Sequence, residues 1–452
     1  MATDRISNLP DDVLGKILSL VPTKLAASTA VLSKRWLNLL PLVDSLDFDE
    51  LMLLYSDRKD GEEEPTSIES RRQSRRRRRP RFSDFVDKTL DLLSNSTIKK
   101  FSLRCNYEND ISRVNSWIRT ALGRGCVELN LKSNLRNFID SEFFTSNTLV
   151  KLTITDKFCL KGRLPLGGVF FPALKTLTLV SVYFLSHEME KHFVRGCPAL
   201  EELFIYVWMG YLSTPYVKRL TITSDFADHY EYSGLTLKTK SLLYLDYSSY
   251  VATYDVVALD SLVEARLDLR LYGLDADGRP VFKEIRGDIS TLINGMKNIK
   301  SLHLSAHSLQ VFHFCCDSMP VLNNLLTLSI ESDEEKGWEV IPRLLCNSPN
   351  LQTLVIKGLV HRVTEWCGNA CPCIIQNEMV CCLSSCQVKV LEITGFRGSL
   401  GELHQMRHFL GNLECLETVK VGVEESTFNS KYLRAILMAI PRVSSKCSIQ
   451  FI

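Results

Sequence analysis

The chain has 452 residues, and 45% of them are hydrophobic, which is enough for several domains or for one extended repeat with a large core. A formal net charge of +2 gives no global reason to expect nucleic-acid or membrane binding. We expect a soluble intracellular protein, because the amino terminus lacks a basic stretch followed by an apolar one and no apolar run is long enough to cross a bilayer. The fifteen cysteines are scattered and odd in number, so we expect reduced thiols, many of them packed as small hydrophobic residues.

The first predicted element is a helix that begins at Pro10. Proline suits the first turn of a helix, and the carboxylates of Asp11 and Asp12 favour its positive end. The helix should stop before Pro22, because the residue before a proline avoids the α region. Its apolar stripe recurs at helical spacing and comprises Val13, Leu14, Ile17 and Leu18.

Two further short helices follow. Thr23 is predicted to cap the second one, and a third is predicted from Ser33 to the residue before Pro41, with Trp36 on its apolar side. Three helices of this size enclose little core. Part of their apolar surface is therefore expected to face a partner.

These residues carry a family resemblance. Leu-Pro-Asp-Asp-x-Leu-x-x-Ile-Leu from Leu9, followed by Leu-Ser-Lys-Arg-Trp from Leu32, resembles an F-box, the module that binds the Skp-type adaptor of a cullin-RING ubiquitin ligase. One departure is Leu37, where plant relatives often have arginine. The alternative interpretation is a three-helix cap for the rest of the chain with no adaptor. The resemblance implies adaptor-facing or packing roles for Leu9, Pro10, Val13, Leu14, Ile17, Leu18, Val31 and Trp36.

Residues 48–82 are predicted to form a charged, disordered linker. Between Asp57 and Arg81 acidic residues precede an arginine run, with almost no apolar residue that could be buried. The run has the composition of a nuclear-import signal or a polyanion-binding patch, although a solvated spacer whose basic half folds onto its acidic half fits as well. No aromatic residues are interleaved for base stacking, so specific nucleic-acid binding is not expected. We expect the protein in the nucleus, the cytoplasm or both, and assign the import signal to Arg75, Arg76, Arg77, Arg78 and Arg79.

From Ile98 onward short segments of the form apolar-x-x-Leu-x-Leu recur at about the 20 to 29 residue interval of leucine-rich repeats. Both apolar residues of each Leu-x-Leu fall on one side of a short strand, and parallel stacking of such strands predicts a curved solenoid. The intervals near 275–298 and 357–387 are long, so the register is left open. The copies begin at Ile98, Cys126, Leu149, Leu174, Leu200, Val217, Leu242, Ile299, Leu325, Leu351, Val388 and Leu416, with a degenerate copy at Leu267 and Leu269.

The segments 85–90, 98–103, 114–122 and 382–393 resemble plant F-box proteins that have leucine-rich repeats and a carboxy-terminal FBD domain. The resemblance implies an α/β chain with an F-box at 1–47, repeats at 83–365 and an FBD domain at 366–452 that caps the array. Within the FBD segment, helices are predicted at 403–413 and 431–440, and a final strand at 447–452.

Catalytic or metal chemistry is not predicted. The chain has no Gly-rich phosphate loop and no Gly-x-Ser-x-Gly elbow, so we expect no enzyme and no cofactor. No metal is expected in the cysteine cluster near the carboxy terminus because zinc knuckles are absent there, although a zinc site or a redox-labile thiol pair remains an alternative. The cluster comprises Cys367, Cys371, Cys373, Cys381, Cys382 and Cys386.

The predicted function is that of a substrate receptor. The F-box would bind the Skp-type adaptor and through it a cullin-RING complex, and the repeats would bind a target protein that the sequence does not name. No membrane partner is expected. The alternatives are a scaffold outside any ligase and a small-molecule receptor, and no convergent basic residues on successive strands favour the latter.

Overall fold

The computed structural model describes residues 6, 8–55, 82–105, 110–134, 137–140, 145–156, 158–161, 169–181, 183–184, 194–206, 211–224, 235–271, 287–333, 338–359, 370–371, 381–424 and 430–452. By contacts the chain divides into two units, residues 1–206 (unit 1) and residues 207–452 (unit 2). Within the described ranges no helix is both long enough and apolar enough to cross a membrane.

Unit 1 begins with short helices and continues with strands. Its helices are α1 (Asp11–Leu18), α2 (Thr23–Ser28), α3 (Lys34–Leu39), α4 (Glu50–Tyr55), α5 (82–92) and α6 (Ile111–Gly123), with 3-10 turns at Thr29–Val31 and Leu40–Leu42. Its strands are β1 (Ser45–Asp49), β2 (Lys100–Cys105), β3 (Glu128–Ser133), β4 (Asn137–Asp140), β5 (Lys151–Thr155), β6 (Phe158–Lys161), β7 (Thr176–Val180), β8 (Tyr183–Phe184) and β9 (Glu202–Tyr206).

Unit 2 begins with six strands, and helices occur between its strands from Ser290 onward. Its strands are β10 (Tyr211–Ser213), β11 (Arg219–Thr223), β12 (Leu235–Lys238), β13 (Tyr244–Tyr250), β14 (Tyr254–Ala258), β15 (Glu264–Arg270), β16 (Ser301–Leu304), β17 (Thr327–Glu331), β18 (Thr353–Lys357), β19 (Val390–Phe396), β20 (Thr418–Val423) and β21 (Ser448–Phe451). Its helices are α7 (Ser290–Gly295), α8 (Ala306–Phe314), α9 (Ile341–Cys346), α10 (Leu400–Asn412) and α11 (Ser430–Ala439), with a 3-10 turn at Trp338–Val340.

Each unit is built on a parallel sheet to which each repeat adds one strand. In unit 1 the strand order is β1-β2-β3-β5-β7-β9, and in unit 2 it is β11-β13-β15-β16-β17-β18-β19-β20-β21. The order follows the chain because each repeat stacks on the one before it. Smaller parallel sheets, β4-β6-β8 and β10-β12-β14, accompany the two units and were not anticipated from the sequence.

The repeat motif places its two leucines in the core. In β3, Leu129 and Leu131 are buried while Asn130 between them is exposed, as the two-residue period of a strand requires. In the register with β5, Leu129 lies opposite Leu152 and Leu131 lies opposite Ile154, so the apolar rows are continuous from strand to strand. The prediction of an α/β leucine-rich-repeat fold is confirmed.

The repeats begin earlier than predicted. β1 lies at the boundary between the predicted F-box and the predicted linker, and it pairs in parallel with β2, with Phe48 opposite Leu103. Phe48 is buried against the rings of Phe85 and Phe101. The assignment of residues 48–55 to a linker is therefore wrong, because Val43-x-x-Leu46-x-Phe48 is itself a repeat motif with all three apolar residues buried. Residues 56–81 lie outside the described part of the chain.

The degenerate copy at Leu267 and Leu269 is corrected as well. Ala265 lies opposite Leu302 and Leu267 lies opposite Leu304, so the Leu-x-Leu positions of this repeat are Ala265 and Leu267. The motif starts at Leu262, and it was not recognised in the sequence because Ala265 occupies a position where the pattern has leucine. The repeat was placed two residues too late because Leu269 is also buried, at the end of a longer strand.

The predicted helices of the FBD segment are present with shifted starts. Helix α10 begins at Leu400 instead of residue 403, because Ser399 and Glu402 form a reciprocal capping box in which each side chain accepts from the other residue's backbone N–H. Helix α11 ends at Ala439 before Pro441, and β21 forms the final strand.

Candidate functional site

Helix α1 carries two apolar stripes with different environments. Leu14 and Leu18 are buried completely, whereas Val13 and Ile17 are exposed. At about 100° per residue, the two stripes lie side by side on the helix, offset by roughly 100°. Leu14 and Leu18 therefore hold the helix in place, each contributing about 1.5–3 kcal/mol by burial, and Val13 and Ile17 are left without a described partner.

The other predicted adaptor positions divide in the same way. Val31 is 88% exposed, and Pro10, directly before α1, is also exposed. Leu9 and Trp36 are half-buried. Sequence reasoning missed further exposed apolar side chains in the same three helices and their turns, at Leu20, Leu25, Leu32, Leu37 and Leu42. We name the three-helix segment 8–42 the helical module.

Arg35 joins the two ends of the helical module. Its Nε and Nη2 atoms donate to Asp11 Oδ1 at 2.9 and 2.7 Å, and Nη2 also donates to the carbonyl of Leu9. The third helix was predicted to start at Ser33; Ser33 caps it instead, by accepting from the Trp36 N–H at 3.4 Å. Arg35 therefore ties the entry into α1 to the start of α3, a role that the sequence pattern did not assign.

Gly15 allows a close approach between α1 and the 3-10 turn that follows α3. A Cβ atom at position 15 would lie 2.7 Å from Leu42 Cβ and 3.2 Å from the Leu42 carbonyl oxygen. Contacts at that distance are below ordinary van der Waals separation. Glycine is favoured at position 15 because the Cβ and carbonyl oxygen of Leu42 occupy the space that a side chain would need.

Two hydroxyl groups fasten the helical module to β1. The Thr23 hydroxyl accepts from the Asp47 N–H at 2.7 Å, and the Ser19 hydroxyl accepts from the Asp44 N–H at 3.2 Å. The expectation that Thr23 caps α2 is therefore wrong. Pro22 occupies the capping position, and the Thr23 hydroxyl bonds to β1 instead. A carboxylate of Asp44 also pairs with Lys99 Nζ at 2.7 Å, which fixes the start of β2.

A groove lies where the helical module meets the first strands of the sheet. Its volume is about 300 Å³. One wall is the turn after α1, and the floor consists of residues of β1, β2 and β3. The lining residues are Ser19, Leu20, Val21, Pro22, Ser45, Leu46, Asp47, Lys100, Phe101, Ser102, Glu128 and Asn130.

The exposed strand face of unit 2 carries a polar cluster centred on Glu331. Its Oε1 atom accepts from Lys357 Nζ at 2.9 Å and lies 3.1 Å from Nε2 of His303, whose Nδ1 is 2.9 Å from the Ser329 hydroxyl. Burial lowers the pKa of His303, the charges of Lys357 and Arg266 add to the shift, and Glu331 opposes it only in part. Burial by itself raises the pKa of Glu331, but Lys357 and His303 bring it below its usual value. The imidazole is thus held neutral beside an ionised carboxylate.

The cysteine cluster of the FBD segment is mostly core. Cys382 and Cys386 are buried, and the Cys386 thiol donates to the Cys382 carbonyl at 3.0 Å. Burial raises the pKa of Cys386 to about 12, which keeps the thiol protonated. Within the part of the chain that the structure describes, no group of three or more His, Cys, Asp or Glu side chains is placed to hold a metal. Cys367 and Cys373 lie outside the described residues.

This architecture defines a class of protein: repeats that each add one strand to a parallel sheet, preceded by a helical module with exposed apolar side chains. The chain matches the family model "F-box domain" over residues 6–46 and the model "FBD-associated F-box protein At5g56370, LRR repeats" over residues 114–229. It is 66% identical over 459 residues to F-box protein At4g27050 of Arabidopsis thaliana, with all of both chains covered. It is 49% identical over 501 residues to F-box/LRR-repeat protein At1g48400 of the same plant, with 99% of this chain and 98% of the relative covered.

Similarity at this level over whole chains shows the family. The chain belongs to the F-box/LRR-repeat proteins, and the helical module is its F-box. The identification from sequence is confirmed.

Proposed function

We propose that the protein is the substrate-recognition subunit of a Skp–cullin–F-box type ubiquitin ligase. The F-box binds a Skp-type adaptor and through it a cullin-RING scaffold, and the exposed faces of the repeat strands bind a target protein. The chain acts without catalytic residues of its own. It raises the local concentration of target lysines near a ubiquitin-conjugating enzyme.

The observation that carries this proposal is the exposed apolar stripe of the F-box. Val13 and Ile17 face outward from a helix that already has a complete buried stripe, so folding alone does not explain their apolar character. Val31 adds a third apolar side chain at 88% exposure. Buried apolar anchors near the centre of an interface commonly contribute 2 kcal/mol or more each, about thirtyfold in affinity.

The attachment of the F-box supports the same role. Positioning a target relative to a distant enzyme requires that the adaptor-binding module hold a fixed orientation on the target-binding repeats. In unit 1 the connection is a strand instead of a loop, since β1 pairs with β2 along its whole length and bonds to the F-box through Ser19 and Thr23. A target bound in the groove above β1, β2 and β3 would lie directly beside the F-box.

The test is co-purification with a Skp-type adaptor. The variants Ile17→Asp and Val31→Asp are expected to reduce adaptor binding by tenfold or more, because each puts a charge into an apolar contact. Leu92→Asp is the matched control, since Leu92 is 71% exposed in the same unit but outside the F-box. Adaptor binding that survives both F-box variants would contradict docking through the exposed apolar stripe. A wild-type chain that does not bind the adaptor would contradict the ligase role and favour a scaffold that acts outside the ligase.

We further propose that the protein is imported into the nucleus through Arg75, Arg76, Arg77, Arg78 and Arg79, and that it acts there or in the cytoplasm. These residues lie outside the described part of the chain, and the support is their composition alone.

A further inference from the structure

The outermost strand of unit 2 has an open edge. β21 is the last strand in the order of the sheet, and its inner side pairs with β20, where the N–H groups of Ser448 and Ile452 donate to Glu417 and Val421. Alternation along a parallel ladder turns the N–H and C=O groups of Ile449 and Phe451 outward. No described strand pairs with that side, which is the arrangement that accepts an added strand.

Helix α11 and the residues that follow it flank this edge. Arg434 lies over the Phe451 ring at 4.9 Å from its centroid, and Arg442 donates to the Cys447 carbonyl at 2.9 Å. The segment 434–442, which begins in α11 and ends three residues beyond it, therefore runs antiparallel to β21. The two arginines contact residues that lie four positions apart along the chain, a separation of about 13 Å in a strand. Met438, 49% exposed, lies one helical turn after Arg434.

Residues 430–452 carry side-chain charges of one sign. Residues 430–452 include Lys431, Arg434, Arg442 and Lys446 and no aspartate or glutamate. Arg434 contacts a ring and Arg442 contacts backbone carbonyls, including that of Met438 at 2.9 Å, and neither forms an ion pair with a described residue. Carboxylates of a partner could therefore form ion pairs with these arginines.

We propose that the open edge of β21 binds an extended acidic segment of a partner protein by strand addition. The segment carries an apolar residue flanked by carboxylates two positions away on either side. Those three side chains point to the helix side of the sheet, where the carboxylates meet Arg434 and Arg442 and the apolar residue meets Met438. Main-chain hydrogen bonds to Ile449 and Phe451 supply the remaining affinity.

A second copy of the chain does not fit this edge. Two β21 strands related by a two-fold axis would bring the arginine stripes of both copies to the same face of the joined sheet. Like charges placed together in a partly desolvated contact oppose association.

The experiment uses the full chain and a labelled synthetic peptide of the form Thr-Val-Asp-Thr-Val-Thr-Asp-Val, with a control peptide in which lysine replaces aspartate. In fluorescence anisotropy the acidic peptide is expected to bind more weakly as salt rises, and the lysine peptide not to bind. Arg434→Glu and Arg442→Glu should each weaken binding about tenfold. Arg407→Glu, at an exposed arginine on α10, should leave it unchanged.

A backbone variant tests strand addition separately from charge. Ile449→Pro removes a donor on the outer side, where proline is tolerated in edge strands, and Ile449→Val keeps that donor. We expect the first to lose peptide binding and the second to retain it, both with the unfolding temperature within a few degrees of the wild type. If Ile449→Pro fails to fold, the Arg434→Glu and Arg442→Glu variants still test whether the acidic peptide binds at this edge. Adaptor binding by all variants is expected to be unchanged, which separates this proposal from the ligase role.

Three results would overturn the inference. They are equal binding of the acidic and lysine peptides, acidic-peptide binding unaffected by the arginine and proline variants, and a dimer of the wild-type chain that Ile449→Pro dissociates, which would assign the edge to a second copy.

Discussion

Arg35 reaches Asp11 across the F-box, with two guanidinium nitrogens within 2.9 Å of one carboxylate oxygen. The pair is 40% and 60% exposed, so it adds little to the stability of the fold. The pair matters for positioning, because Arg35 also donates a hydrogen bond to the carbonyl of Leu9 and so fixes the path of the chain there. Arg35 thereby holds the residues that lead into α1, where we propose that the adaptor binds.

Replacing Arg35 by alanine is expected to weaken adaptor binding about fivefold, which corresponds to roughly 1 kcal/mol, with little change in unfolding temperature. The reason is a loss of preorganisation at Leu9 and Pro10. Surface plasmon resonance with immobilised adaptor measures the change. Arg113→Ala is the control, since Arg113 forms a comparably exposed pair with Asp84 in the same unit. Equal losses in the two variants would argue against a positioning role.

Gly15→Ala is expected to destabilise unit 1 by about 1–3 kcal/mol, although alanine is the better helix former. The new methyl group would meet Leu42 Cβ at 2.7 Å. Gly123→Ala in α6 is the matched control, because nothing lies within 4 Å of its Cβ position and a gain of at most about 1 kcal/mol is expected. Thermal unfolding followed by circular dichroism reports both. A Gly15→Ala protein as stable as the wild type would show that the approach of α1 to Leu42 is not tight.

The stability of unit 2 is expected to fall as the pH is lowered through 6.5, the ordinary pKa of histidine. His303 has a lowered pKa in the folded protein, so below pH 6.5 the unfolded chain takes up a proton that the folded chain does not, and the equilibrium shifts toward unfolding. Burial is the largest cause of the lowered pKa of His303, the charges of Lys357 and Arg266 lower it further, and Glu331 opposes them.

The measurement is urea unfolding of the wild type and of His303→Gln between pH 8 and pH 5. The variant should lose less stability on acidification, and the difference between the two proteins is the readout because His313 also has a pKa lowered by burial. Parallel pH profiles for the two proteins would contradict the prediction.

The purified chain is expected to carry no stoichiometric zinc and to melt at the same temperature after treatment with a chelator. Cys382 and Cys386 are packed in an apolar core beside Leu383 and Val388, and this core needs no metal to close it. Structural zinc would make its binding free energy part of the folding free energy. Elemental analysis that finds one zinc per chain would overturn the prediction and make the carboxy-terminal segment a metal-stabilised cap.

Replacing Arg75, Arg76, Arg77, Arg78 and Arg79 with glutamine is expected to move a fluorescent fusion from the nucleus toward the cytoplasm. The physical reason is the loss of a basic cluster read by import receptors. Adaptor binding should be unaffected and serves as the check on folding. An unchanged distribution would favour a plain spacer.

The sequence by itself determined the repeat class and most of its strands. The two-residue alternation of Leu-x-Leu depends only on which side of a strand is buried, and parallel stacking repeats that condition at every copy, as Leu129 and Leu131 opposite Leu152 and Ile154 show. The same holds for α3, whose serine cap and following proline are local signals. Where the motif is weaker, as at Ala265 in a leucine position, the predicted register was wrong by two residues.

Only the tertiary structure decided which apolar residues of the F-box are anchors and which are surface. Leu14 and Ile17 are indistinguishable in a helical pattern, and their burial depends on where α3 and the turn at Leu40–Leu42 lie. The hydroxyl of Thr23, predicted to cap a helix, bonds instead to Asp47 of a strand that the linker composition had concealed. Local propensity determines where helices and strands form, but long-range packing determines which partner each side chain contacts. The apolar side chains of the F-box that packing leaves exposed form the surface we propose for the adaptor.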